Sequence, residues 1–106
     1  MSIVTNLIIC CSSLENEIDI IDQFKKYIHN GNPFYIVSVE DEKLPKAWYG
    51  GAKYLECIVF LGAYNHLDLD RFLGFMKTEM SWEAPDLVQI IVKEENDIKF
   101  RLIDLE

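Results

Sequence analysis

Residues 3–40, "IVTNLIICCSSLENEIDIIDQFKKYIHNGNPFYIVSVE", run from strand to helix and back to strand. The opening IVTNLIIC is β-branched and apolar, the signature of a buried strand. Ser12 and Ser13 then offer N-caps, and Glu15 stands three residues after Ser12 in capping-box spacing. Leu14, Ile18, Ile21, Phe24 and Ile28 follow at helical intervals. Glu15, Glu17 and Asp19 in the first turns and Lys25 and Lys26 near the end match the helix macrodipole. Gly31 and Pro33 close this helix, and FYIVSVE (34–40) is the second strand.

The rest of the chain repeats the alternation. KYLECIVFLGAY (53–64) is long and mostly apolar, so it is expected at the centre of a sheet with both faces covered. Asp68 can cap a second helix carrying Leu69, Phe72, Leu73, Met76 and Met80 on one stripe. SWEAPD (81–86) breaks that helix at Pro85. LVQIIVK (87–93), a turn at EEND and IKFRLID (98–104) make a hairpin. In its last strand Ile98, Phe100 and Leu102 are expected on the buried side, alternating with Lys99 and Arg101. The order is β-α-β-β-α-β-β. It predicts a single α+β domain over residues 1–106, a two-layer sandwich with both helices on one face of a mostly antiparallel sheet, close to a split βαβ arrangement.

Composition narrows the function. A chain of 106 residues, half of them apolar and 12% aromatic, is one domain with enough material for a core, which excludes disorder. No apolar run is long enough to span a bilayer. The start lacks a basic n-region and a cleavage site, so it reads as a first strand and the protein as cytosolic. Cys10 and Cys11 are adjacent and Cys57 stands alone, giving neither a disulfide framework nor a C-x-x-C motif. Eighteen acids against ten bases set a formal charge of −8 and a pI near 4.6. Such a field repels nucleic acid and anionic membranes and suits a basic protein partner.

Few residues suggest catalysis. His66, Asp68 and Asp70 are the right types for zinc or iron, but a capping Asp68 is already engaged with backbone N–H groups and the trio has no common focus. No metal or cofactor site is therefore expected. Cys11 precedes a helix N-terminus, which favours a thiolate, while Glu15 and Glu17 oppose it. The clusters Glu40–Asp41–Glu42 and Glu94–Glu95–Asp97 lie in loops, where solvation keeps their acidities alike. Gly50 and Gly51 fit no phosphate-binding motif and mark a turn before the third strand. The connection EDEKLPKAWYGG, in contrast, sets Trp48 and Tyr49 beside Glu40, Asp41 and Glu42. Aromatic anchors rimmed by charge are the composition of a protein–protein hot spot, although the same aromatics can fold back onto the core. Trp82 and Glu83 repeat the theme after the second helix.

In size, acidity and loop make-up over its whole length, the chain resembles the bacterial immunity proteins that neutralise toxin nucleases, including those of contact-dependent growth inhibition systems. The resemblance implies a cytosolic, non-catalytic protein that occludes a basic toxin, with Glu40, Asp41, Glu42, Trp48, Tyr49, Trp82 and Glu83 facing it. Two alternatives use other features. A homo-oligomeric accessory domain would pair through the third strand or the final hairpin, with Ile91 or Ile103 as contacts. A small enzyme would use Cys11 or the His66–Asp68 region.

Overall fold

In the computed structural model, which describes residues 3–39 and 57–106, the first strand is the hub. Strand β1 (Val4–Ser12) pairs along its length with β5 (Cys57–Asn65) and, on its other edge, with β6 (Gln89–Lys93). The short β4 (Val37–Ser38) adds beyond β5, and β7 (Arg101–Asp104) adds beyond β6. The order is β4-β5-β1-β6-β7 with every neighbour antiparallel. β1 and β4 therefore run parallel with β5 between them, and β5 and β6 run parallel with β1 between them. Two interlocked split βαβ units with one further strand are the α+β sandwich expected from the element order.

The centre of the sheet is β1, not the third strand of the sequence reading. Along β1, Thr5, Leu7, Ile9 and Cys11 are buried, while Val4, Asn6, Ile8 and Cys10 are half-buried. β5 is covered on one face only: Phe60 and Tyr64 are buried, whereas Leu61 and Ala63 are exposed. Its continuous apolar run signalled two covered faces, yet no described element lies over the second. Residues 53–56, the expected start of that strand, lie outside the described residues.

The first helix is shorter than its apolar spacing suggests. Helix α1 spans Glu17–Phe24 and is capped by Asn16, whose Oδ1 accepts from the Asp19 N–H at 2.9 Å. Ser12 is the last residue of β1, and its Oγ accepts from the Leu14 N–H in the turn. With the helix starting after Asn16, the buried stripe is Ile20, Gln23 and Phe24, and Leu14 and Ile18 face solvent at 79% and 72% exposure. Glu15 is not a capping-box partner. Its buried carboxylate accepts from the backbone N–H groups of Glu83 and Ala84, both at 2.9 Å, and so ties the entry of α1 to the loop after the second helix.

Ile28 lies beyond the helix, in a two-strand ribbon of β2 (Ile28–His29) and β3 (Asn32–Pro33). Its turn residues Asn30 and Gly31 take φ of 51° and 79°. Two successive left-handed residues make the hairpin turn for which Asn-Gly is the favoured pair. Of FYIVSVE, whose last residue Glu40 lies outside the described residues, Val37 and Ser38 join the main sheet.

Helix α2 (Leu69–Thr78) follows the expected pattern. Asp68 caps it, accepting from the Arg71 N–H at 3.1 Å, and Leu69, Phe72 and Met76 are buried. Both helices press on the same face of the sheet. Phe24 and Phe72 lie 5.9 Å apart and nearly parallel, Phe34 stacks on Phe72 at 4.6 Å, and Phe60 of β5 meets Phe24 edge-on. Each fully buried phenyl ring of this kind contributes roughly 1.5–3 kcal/mol of transfer free energy. A short 3-10 helix (Pro85–Leu87) ends the excursion that SWEAPD was expected to make.

The last strand is inverted relative to expectation. Phe100 and Leu102 are 44% and 59% exposed and Ile98 is almost fully so, while Ile103 and Leu105 turn toward the core. Within Arg101–Asp104 each parity holds one apolar and one charged side chain, so pairing with β6 decides which set is buried.

Candidate interaction surface

The pairing register brings one apolar residue from each strand of the five-stranded sheet into a single row. Val37 pairs with Leu61, Leu61 with Ile8, Ile8 with Ile91 and Ile91 with Leu102. Opposed residues in an antiparallel sheet point to the same side, and these five lie on the side away from the helices. Val37, Leu61 and Leu102 are each about two-fifths exposed or more. Val59 and Cys10 extend the apolar area toward one end of the strands. At the other end Asn6, Ile8, Leu61, Ala63 and Phe100 line a shallow depression of about 300 Å³. Among the described residues, the charged side chains in the paired rows of this face are Lys93 and Asp104, of opposite sign; Gln89 donates to Asp104 at 3.3 Å.

Tyr64 ties β5 to the segment that leads into β4. The Tyr64 ring folds back over Gly62, stacks on Phe34 at 4.3 Å and donates its hydroxyl to the Tyr35 carbonyl at 2.6 Å. Burial pushes the Tyr64 phenol well above its usual acidity range. At Gly62 a Cβ would overlap the Tyr64 ring, standing 2.6 Å from Cζ and 3.0 Å from Cε2. The close approach, not a special backbone angle, is what requires glycine here.

The residues picked out by sequence divide into three sets. Glu40, Asp41, Glu42, Trp48 and Tyr49 lie outside the described residues. Trp82 is half-buried: its ring meets Phe24 edge-on at 6.2 Å, and its indole N–H donates to the Met76 carbonyl at 2.9 Å. One edge of that ring remains in a groove of about 480 Å³ with Lys77, Met80, Pro85 and Leu105. Glu83 is exposed beside it, held by its own N–H on Glu15. Ile91, offered as an oligomer contact, lies on the open face, whereas Ile103 packs against the core.

The catalytic candidates are dispersed. Cys11 is buried, and burial together with the Glu15 carboxylate pushes its thiol up to about 12, opposite to the shift a nucleophilic thiolate requires. Cys10 and Cys57 lie on the open face, where burial and the neighbouring Cys57 also raise the Cys10 thiol. His66 adopts φ 57° in the turn after β5, and its N–H donates to the Ile3 carbonyl. That is the opposite end of β1 from Cys11, about 25 Å away at the usual rise per strand residue. Asp68 is occupied as the α2 cap, and among the described residues no group of three His, Cys, Asp or Glu side chains is placed to hold a metal. Nor is any described helix long and apolar enough to cross a membrane.

The signal sequence reasoning missed was the open face itself. It was present as the second parity of each strand, in Ile8, Leu61 and Leu102, but a parity has no assigned side until the register is known. No family model, curated protein or solved structure matches the chain.

Proposed function

We propose that this chain is a non-catalytic protein-binding module of the immunity type, a cytoplasmic acidic protein that occludes the basic site of a partner such as a toxin nuclease. What supports the reading is how its charge is laid out. Among the described residues the paired rows of the open face carry a balanced pair, Lys93 and Asp104, so their excess of acids lies on the helical side and in the loops. Asp19, Asp22, Asp70, Glu79 and Glu83 are exposed in the helical layer and the loop after it, where they outnumber the exposed Lys25, Lys26, Arg71 and Lys77, and Lys25 pairs with Asp22 at 3.6 Å. Carboxylates grouped on one side of a small domain accelerate encounter with a cationic cleft by about 10- to 1,000-fold and select against anionic partners. Occlusion then needs only that these carboxylates occupy the place where phosphates would bind. Glu40, Asp41, Glu42, Trp48 and Tyr49 are assigned to the same contact on sequence grounds.

The test is capture with a tagged chain from a host extract at low and then high salt. One basic protein, retained at low salt, shed at high salt and lost with the pair Glu79→Lys and Glu83→Lys, supports the assignment. Capture of no basic protein at either salt overturns it. A second reading, an oligomer-forming domain, is favoured by a separate observation: the apolar row on the open face.

A further inference from the structure

We infer that the open face of the sheet is a self-association surface, on which a second copy of this chain packs sheet to sheet about a two-fold axis. The partner for this face is distinct from the basic protein proposed above, because this face is where the charge is balanced. Two copies of a protein at −8 repel each other across their acidic helical sides. Across the open face that repulsion is least, and the apolar row provides the attraction.

The geometry is self-complementary. A two-fold axis laid along the central row, perpendicular to the strands, returns Val37, Leu61, Ile8, Ile91 and Leu102 each onto its own counterpart, as an isologous contact requires. The same operation exchanges the flanking rows. It sets Lys93 of one copy over Gln89 of the other, one strand from that copy's Asp104, so no like charges are opposed and the one cation lies nearest the partner's anion. The footprint is also sufficient. Five strands about 4.8 Å apart and a central strand rising about 3.3 Å per residue frame roughly 24 by 30 Å. Allowing for the shortness of β4 and β7, this leaves about 500–600 Å² per copy, above most lattice contacts and at the lower edge of specific interfaces. It also matches the largest apolar patches that soluble monomers tolerate unpaired. The dimer is accordingly a weak, micromolar one, and it leaves both acidic sides facing outward.

Sedimentation of the full chain across micromolar concentrations tests this, alongside Leu61→Lys and, as a second variant at a more exposed position, Leu102→Lys. The weight-average mass of the wild type should rise from 12.4 kDa toward twice that value, and more readily at high salt, where like-charge repulsion is screened. Both variants should remain at the monomer mass with unchanged circular dichroism and at least a ten-fold weaker association. A wild type that stays monomeric throughout, or a dimer that survives both substitutions, overturns the inference. Salt separates the two proposals, since it promotes self-association and releases a basic partner.

Discussion

Replacing Gly62 by alanine adds one methyl group and should cost far more than a surface methyl does. The new Cβ would stand 2.6 Å from Tyr64 Cζ, with the hydroxyl oxygen closer still, so the ring must leave. Its departure breaks the hydrogen bond to the Tyr35 carbonyl and the stack on Phe34. The hydrogen bond contributes about 1 kcal/mol and the aromatic pair about 0.5–1.5 kcal/mol. Residual overpacking adds about 1 kcal/mol or more. Against this, removing a strand glycine returns about 0.5–1 kcal/mol of backbone entropy. The net loss is about 1.5–3 kcal/mol, a fall in Tm of roughly 7–14 °C for a domain of this size. Thermal and urea melts measure it. A sharper form uses a double-mutant cycle: in a Tyr64→Leu background, where no ring covers residue 62, Gly62→Ala should be neutral or stabilising. If Gly62→Ala is tolerated in the wild type, or costs the same in both backgrounds, the ring-over-glycine argument is refuted.

Three further outcomes are expected. Glu15→Gln should destabilise by about 2 kcal/mol in urea titration, because a carboxamide offers one acceptor oxygen where the Glu83 and Ala84 N–H groups require two. With the Cys11 thiol raised to about 12 and buried, iodoacetamide at mildly alkaline pH should label Cys57 in the folded protein, Cys10 more slowly because burial and Cys57 raise its thiol, and Cys11 only after denaturation, as mass spectrometry would count. The Glu94 N–H, and then Arg101, hold the Asp97 carboxyl below its usual range. Its contribution to stability is therefore present above the ordinary carboxylate pKa and is lost as pH falls through the lowered folded value; an NMR titration should find its midpoint below those of free aspartates.

Sequence and structure agree where a local rule has one solution. Asp68 had a single helix to cap and a five-residue stripe behind it, and α2 forms as read. The element order limited the sheet to few topologies, and the split βαβ arrangement is the one realised. The failures share a cause, competition between equal local signals. Ser12, Ser13 and Asn16 are all good N-caps, and the pairing of β1 as far as Ser12 with β5 removes the first from contention. Asn30-Gly31 is a strong hairpin signal, but Gly31 followed by Pro33 reads equally well as a helix stop, since a glycine serves either purpose. In the last strand the side of the sheet passes between Leu102 and Ile103, and nothing short of the β6 register distinguishes them. Of the candidate contacts, Trp82 illustrates the ambiguity of a loop aromatic: its indole anchors the Met76 carbonyl while one edge of the ring lines a groove.

The most direct test of the account is the affinity of the captured basic partner, purified, for wild type and for Leu61→Lys across a salt series. Binding through the acidic side predicts a linear fall of log affinity with log salt, at least ten-fold between about 50 and 300 mM, with Leu61→Lys following the same line. An affinity indifferent to salt, or one abolished by Leu61→Lys, would contradict the division of this protein into an acidic partner-binding side and an apolar self-association side.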